Sequence, residues 1–218
     1  MKLRICIAIF FALALFITSC KRDDKFMFAL EGTVKNARSG AGLSSASLEL
    51  SQQEIASGTF NDNFVHAGHT LSDGSGFYRL DFARESVVEY KLEVEKTNYI
   101  SREFSFVPVD FSIGNATTQN IALYPEAFIV VHLHNDAPTF ENDVMKFRFD
   151  QVNFDCQCCM GGWVQQNGEA VDTSFSCRLY GETWLKYVRE ITSGLSDTLM
   201  EDSIWCPSFI TTQLDISY

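Results

Sequence analysis

The stretch Thr70-Leu71-Ser72-Asp73-Gly74-Ser75-Gly76-Phe77-Tyr78-Arg79-Leu80 sets a polar, glycine-rich tetrad between two runs of alternating character. Glycine accepts positive φ without steric penalty, and an aspartate side chain bonds the backbone of its own turn. Asp73–Gly76 therefore reads as a tight turn that feeds a period-two strand, "FYRLDF" (77–82). A calcium loop would need several oxygen ligands at alternating spacing, and this stretch supplies one carboxylate. Outward from the turn, the same alternation recurs in "FMFALEGTVKN" (26–36), "ASLELSQ" (46–52), "VHAGHTLS" (65–72), "VVEYKLEVEK" (87–96), "REFSFVPV" (102–109) and "TTQNIALYP" (117–125). "RSGAGLSSA" (38–46) and "SGTFNDNF" (57–64) read as a turn and a polar loop. About seven strands with no amphipathic helix among them point to a β-sandwich.

Composition bounds the rest. Nineteen Phe in 218 residues supply ample core, and four Pro with no low-complexity tract argue against disorder. The formal charge is −11, and Lys and Arg form no long cluster, so a phosphate backbone would be repelled and nucleic acid is excluded as a partner. The chain opens Met1-Lys2-Leu3-Arg4, then runs from Ile5 to Ile17 without a charge. That block is too short for a bilayer core, which takes about 20 apolar residues, and has the order of a secretory leader. Removing residues 1–19 leaves 15 basic against 28 acidic residues, a charge of −13.

Two resemblances follow. "LEGTVKNARSGAGLSSASLEL" (30–50), "TLSDGSGFYRLDF" (70–82), "YKLEVEKTNY" (90–99) and "QNIALYP" (119–125), in that order, resemble the carboxypeptidase regulatory-like, or transthyretin-like, sandwich. Asn98-Tyr99 stands where that family has Gly-Tyr, a mild departure because Asn also tolerates the left-handed region. These motifs are structural and imply a fold, with no activity attached. Ile17-Thr18-Ser19-Cys20 resembles a bacterial lipobox, which implies cleavage before Cys20 and acylation of that residue. Two or more acyl chains anchor stably, so Cys20 would tether the mature chain. Lys21-Arg22-Asp23-Asp24 resembles the charged tag that sends lipoproteins of Bacteroidota to the outer cell surface. The expected organisation is a signal peptide (1–19), a lipidated N-terminus with a short linker (20–25), a transthyretin-like seven-stranded sandwich (26–125) and a second β domain (126–218). The whole chain is expected to be all-β.

The second half opens with "PEAFIVVHLHN" (125–135), with no spacer before it, so the two domains are expected to be held stiffly. Further strands are expected at Val144–Phe149, Phe175–Tyr180, Trp184–Ile191 and Phe209–Ile216. "DAPTFEN" (136–142), "GGWVQQNGEAVD" (161–172) and "TSGLSDTLMEDS" (192–203) read as loops. "ETWLKYVREI" (182–191) also fits a helix with Leu185, Val188 and Ile191 on one face. The expected architecture is a second sandwich, with an immunoglobulin-like arrangement as one form of it.

All cysteines beyond Cys6 and Cys20 lie here: Cys156, Cys158, Cys159, Cys177 and Cys206. An exported compartment favours disulfides, and an odd count leaves one thiol over. Two of the 156–159 group are expected to bridge Cys177 and Cys206, while Cys-x-Cys-Cys departs from the usual zinc spacing. The histidines form two pairs, His66-x-x-His69 and His132-x-His134. His132 and His134 share a strand face and could chelate, but no acidic third ligand has a suitable spacing, so no metal and no cofactor are expected. Trp163, Trp184 and Trp205 are core material by default, with Trp163 after Gly161-Gly162 the preferred partner contact. Thr198 and Ser203 sit in Asp-Thr-Leu and Asp-Ser-Ile, which resemble acceptors of surface O-glycosylation in Bacteroidota. No nucleophile elbow, phosphate loop or His-Glu-x-x-His motif occurs. The functional expectation is a non-catalytic lipoprotein of the outer membrane, facing the cell exterior and presenting a β domain to a protein or glycan. The alternatives are an accessory or hydrolytic enzyme using the C-terminal domain, and a metal-binding protein using the His pairs.

Overall fold

The computed structural model describes residues 26–56, 59–136, 141, 143–150, 159, 161–168 and 170–218. The expected leader (1–19), Cys20 with the expected linker, Cys156, Cys158 and residues 137–140 and 142 lie outside these residues. Among the described residues there are strands and a single 3₁₀ turn, and no helix is long and apolar enough to cross a membrane.

The first domain is built from β1 (Met27–Asn36), β2 (Ser47–Ala56), β3 (Thr59–Leu71), β4 (Phe77–Ala83), β5 (Val87–Glu95), β6 (Arg102–Phe106), β7 (Ala116–Thr118) and β8 (Ile121–Leu123). One sheet has β1 at its centre, antiparallel to β4 and parallel to β7 and β8, which act as one broken strand. The other sheet runs β3-β2-β5-β6. The segment read as a polar loop at 57–64 instead carries the start of β3, because β2 and β3 pair almost to the tip of their hairpin. Alternation delivers the core: Leu30 and Val34 from β1, Leu48 and Leu50 from β2, Leu80 and Phe82 from β4, and Tyr90, Leu92 and Val94 from β5.

The turn at 73–76 forms as its residues dictate. Asp73 Oδ1 accepts the backbone N–H of Ser75 (2.8 Å) and of Phe77 (2.9 Å), and the Ser75 hydroxyl (2.7 Å). These bonds, the Ser75 hydroxyl first, hold the Asp73 carboxyl below its usual range. Gly76 has φ 85°, and its carbonyl accepts the Val34 N–H at 2.8 Å. On the other side, the Val34 carbonyl accepts the Leu43 N–H at 2.9 Å. The glycine turn thus stitches the end of β1 to the crossover into the second sheet.

The second domain comprises β9 (Glu126–His134), β10 (Val144–Phe149), β11 (Val164–Asn167), β12 (Asp172–Tyr180), β13 (Thr183–Ser193), β14 (Ser196–Cys206) and β15 (Thr211–Ser217). Its sheets run β12-β9-β15 and β11-β10-β13-β14. β9 is antiparallel to β12 and parallel to β15. The second strand pairs with the third and fifth, and the fifth with the sixth, as in the first domain. The two sandwiches therefore share one topology, and the immunoglobulin arrangement, in which the first and second strands share a sheet, is not the one adopted. Two expected loops are also corrected: 164–167 is the edge strand β11, and 192–203 comprises the end of β13, the turn at 194–195 and β14 as far as Ser203. The helical reading of 182–191 loses to β13, whose neighbours β10 and β14 supply backbone partners on both sides.

Between the domains, the chain passes from Leu123 to Glu126 and is clamped. Tyr124 stacks on Tyr180 (centroids 4.3 Å, interplanar angle 12°), and Tyr99 packs edge-on to Phe209 at 5.6 Å. Arg38 donates from Nε to the Gly181 carbonyl (3.0 Å), bonds the Thr183 hydroxyl, and lies 5.2 Å from the Tyr124 ring centre. Asn98, at φ 66° as its residue type allows, accepts the Glu126 N–H at 2.9 Å.

A Cβ on Gly76 would lie 2.4 Å from the Val34 carbonyl oxygen and 2.9 Å from the Leu43 nitrogen. Gly76→Ala is expected to destabilise the first domain by more than ~2 kcal/mol, combining positive-φ strain with a backbone clash. Urea unfolding of the full chain checks this; an unchanged midpoint would show that the stitch is dispensable.

Candidate functional site

The outward face of β9 carries the densest group of chemically active side chains among the described residues. Period two sends Ala127, Ile129, Val131 and Leu133 into the core and turns His132 and His134 to the other face. The two imidazoles stack with centroids 4.6 Å apart and ring planes 22° apart. The parallel neighbour β15 sets Asp215 beside His132. Asp215 Oδ1 lies 3.1 Å from Nδ1 of His132 and 3.1 Å from Nδ1 of His134. The far ring nitrogens are also held: His132 Nε2 is 2.8 Å from Asp172 Oδ1, and His134 Nε2 is 3.1 Å from Asp136 Oδ2. The hydrogen bond that His132 donates to Asp172, with the charge of Asp215 behind it, raises the His132 pKa above its ordinary value.

The acidic partners were invisible at the level of spacing. Asp215 lies 83 residues from His132 and Asp172 lies 40 away, and only the parallel β9–β15 pairing and the β12–β9 ladder bring them together. The other histidine pair stays in the first domain, where His66 bonds Glu49 and His69 Nε2 meets the Ser47 hydroxyl at 3.1 Å. The four histidines do not converge.

Cys159 and Cys177 form a disulfide. The expected bridge to Cys206 is not formed: its thiol is free and fully buried in the second core, at the end of β14 opposite Thr183. Burial pushes this thiol's pKa up and suppresses the reactive thiolate. Cys156 and Cys158 lie outside the described residues.

The tryptophans depart from the core assignment. Trp184 and Trp205 are directly opposite across the β13–β14 ladder, 60% and 41% exposed, with ring centres 5.6 Å apart. Leu195, Leu199 and Met200 on the same hairpin are also exposed, and β14 is the edge of its sheet. Trp163, the preferred contact from sequence, is half-exposed but has the Arg148 guanidinium 4.8 Å from its ring centre. Thr198 and Ser203 are exposed, on β14 itself rather than in a loop. At the opposite end of the first domain, a depression of about 500 Å³ is lined by Phe28, Arg84, Pro108, Val109, Phe111 and Ile113.

No family model matches the chain, and no curated protein does. Among solved structures, it is similar to the Bacillus anthracis TIE protein (13% identity, TM-score 0.36, covering 88% of this chain and 34% of that one). It is similar to the shaft pilin SpaA of Lactobacillus rhamnosus GG (7% identity, TM-score 0.35, 88% and 97% covered). It is also similar to a 3-chlorocatechol 1,2-dioxygenase of Rhodococcus opacus 1CP (14% identity, TM-score 0.35, 47% and 61% covered). The chain thus spans 34% of the first of these proteins and 61% of the last. None of these likenesses bears on activity.

The disulfide closes a loop with a sequence separation of 18. Cys177→Ser is expected to destabilise the second domain by about 3 kcal/mol in the loop-entropy account. Cys206 is expected to resist alkylation until that domain unfolds. Urea titration with mass-spectrometric thiol labelling reads both; prompt labelling of Cys206 in the native protein would contradict its placement.

Proposed function

We propose that this chain is a non-catalytic, lipid-anchored module of the outer membrane that faces the cell exterior and holds its second domain toward a protein or glycan partner. Acyl chains on Cys20 are the tether, and the clamped junction limits swinging of the second domain. The observation that carries the reading is an apolar pole on the first domain, beside the point where the tether enters. Phe26, Met27, Val107, Val109 and Ile113 are all exposed there, Val109 at 85%. The Arg84 N–H bonds the Phe26 carbonyl, which places the entering chain beside the depression that Arg84, Val109 and Ile113 line. The linker of residues 21–25 can span at most ~20 Å from Cys20 to Phe26, so this pole would rest against the lipid headgroups.

The partner surface is assigned to the β13–β14 hairpin. Paired indole rings offer a stacking platform, and the free edge of β14 offers backbone donors and acceptors. Large exposed aromatics of this kind dominate binding energetics where they are buried by a partner. Cys159–Cys177 ties β12 of the opposite sheet to the chain between β10 and β11, and so links the two sheets.

Mass spectrometry of the mature protein is expected to find an acylated N-terminal Cys20, and Cys20→Ala is expected to move the protein into the soluble fraction. The double variant Trp184→Ala, Trp205→Ala is expected to lower capture of surface protein or glycan at least tenfold, equivalent to about 1.4 kcal/mol. An unmodified N-terminus would overturn the anchor, and undiminished capture would overturn the hairpin as the contact.

A further inference from the structure

We propose that His132, His134 and Asp215 form a binding site for one divalent transition-metal ion of the zinc, copper or nickel class. The site would lie on the outer face of the β12-β9-β15 sheet, independent of any lipid anchor.

Convergence is the first argument. One ligand atom from each of His132, His134 and Asp215 lies within 4.8 Å of the other two. The two nitrogen-to-oxygen separations are already 3.1 Å. Nitrogen and oxygen ligands held about 2.0–2.2 Å from one ion sit roughly 3 Å apart. Two of the three edges of the ligand triangle therefore have coordinating length, and a small rotation of the imidazoles closes the third. Two neutral imidazoles with one carboxylate suit borderline divalent metals and leave further positions open to water or a ligand.

The outer partners supply the second argument. An imidazole that binds a metal through one nitrogen usually gives its other N–H to a carboxylate or carbonyl, which fixes the tautomer and the ring. Both rings have this support. Asp172 holds Nε2 of His132 and Asp136 holds Nε2 of His134. With Nε2 carrying the proton, each Nδ1 lone pair is directed toward the same spot beside Asp215.

His134 supplies the third. Its Nδ1 is buried and makes no hydrogen bond, although Asp215 Oδ1 is only 3.1 Å away. The contact is short enough for a hydrogen bond but misaligned for one. A cation between the two atoms satisfies both, and a buried lone pair without a partner is otherwise costly. The ligands also stand on two hydrogen-bonded strands, so the geometry is held before any ion arrives.

The test uses the full mature chain, stripped with a chelator and titrated with Zn²⁺ by calorimetry, with Mg²⁺ and Ca²⁺ as controls. One saturable Zn²⁺ per chain is expected, with no comparable response to the controls. Asp215→Asn, at an exposed position that does not support the core, is expected to weaken Zn²⁺ binding at least tenfold. Asp172→Asn acts only through His132 and is expected to weaken it about tenfold. The paired change His66→Ala, His69→Ala should leave affinity unchanged. X-ray absorption of the zinc form should show nitrogen and oxygen neighbours alone. Absence of saturable binding, full affinity in Asp215→Asn, or sulfur in the coordination shell would each overturn the assignment, the last because it would move the ion to the cysteines.

Discussion

Each sandwich depends on the parallel pairing of its first strand with its last. β1 lies beside β8 and β9 lies beside β15, each held on its other edge by an antiparallel fourth strand. Parallel pairing makes the chain leave in the direction in which it entered. In the first domain β1 starts at one pole, and β8 ends at the other, where Tyr124 and Pro125 lead into β9. A ten-residue strand covers about 33 Å, so entry and exit are separated by nearly the whole length of that sandwich. Had the last strand run antiparallel to the first, the second domain would emerge beside Phe26.

The same rule accounts for what gathers at the end of β9. β15 runs alongside it, so the last residues of both strands meet at the pole far from the junction, and Asp215 comes to lie beside His132. β12 runs the opposite way and begins there, which delivers Asp172. Three chain segments with no sequence relation are brought to one spot by sheet topology. The junction relies on smaller, local contacts: a stacked tyrosine pair, an arginine bridging both domains and three backbone bonds around Glu126 and Gly181.

Local chemistry was legible in the sequence wherever it decided the local structure. The Asp73–Gly76 turn, the alternating strands of the first half, β10 at Val144–Phe149 and the left-handed Asn98 follow from side-chain size, period and turn preference. β14 was missed because Asp197, Glu201 and Asp202 give it a loop's composition, while its pairing to β13 keeps it a strand. Non-local facts were not legible. The shared topology of the two domains has no repeat in residue identity, since "MFALEGTVKN" and "EAFIVVHLH" agree in burial pattern and little else. The third ligand-type residue of the histidine group lies on another strand, beyond the reach of spacing rules. The exposure of Trp184 and Trp205 depends on β13 and β14 presenting one face away from the core, and the residues themselves do not carry that information.

The proposed anchoring of the first domain's apolar pole, away from the far end of the second domain, can be read directly in lipid vesicles. The acylated full-length protein would carry a genetically encoded fluorophore at Val109 in one preparation and at Ser217 in another, with a quencher attached to the lipid chains. The expected result is strong quenching at 109 and none at 217. Equal quenching at the two positions, or quenching at 217 alone, would contradict the account.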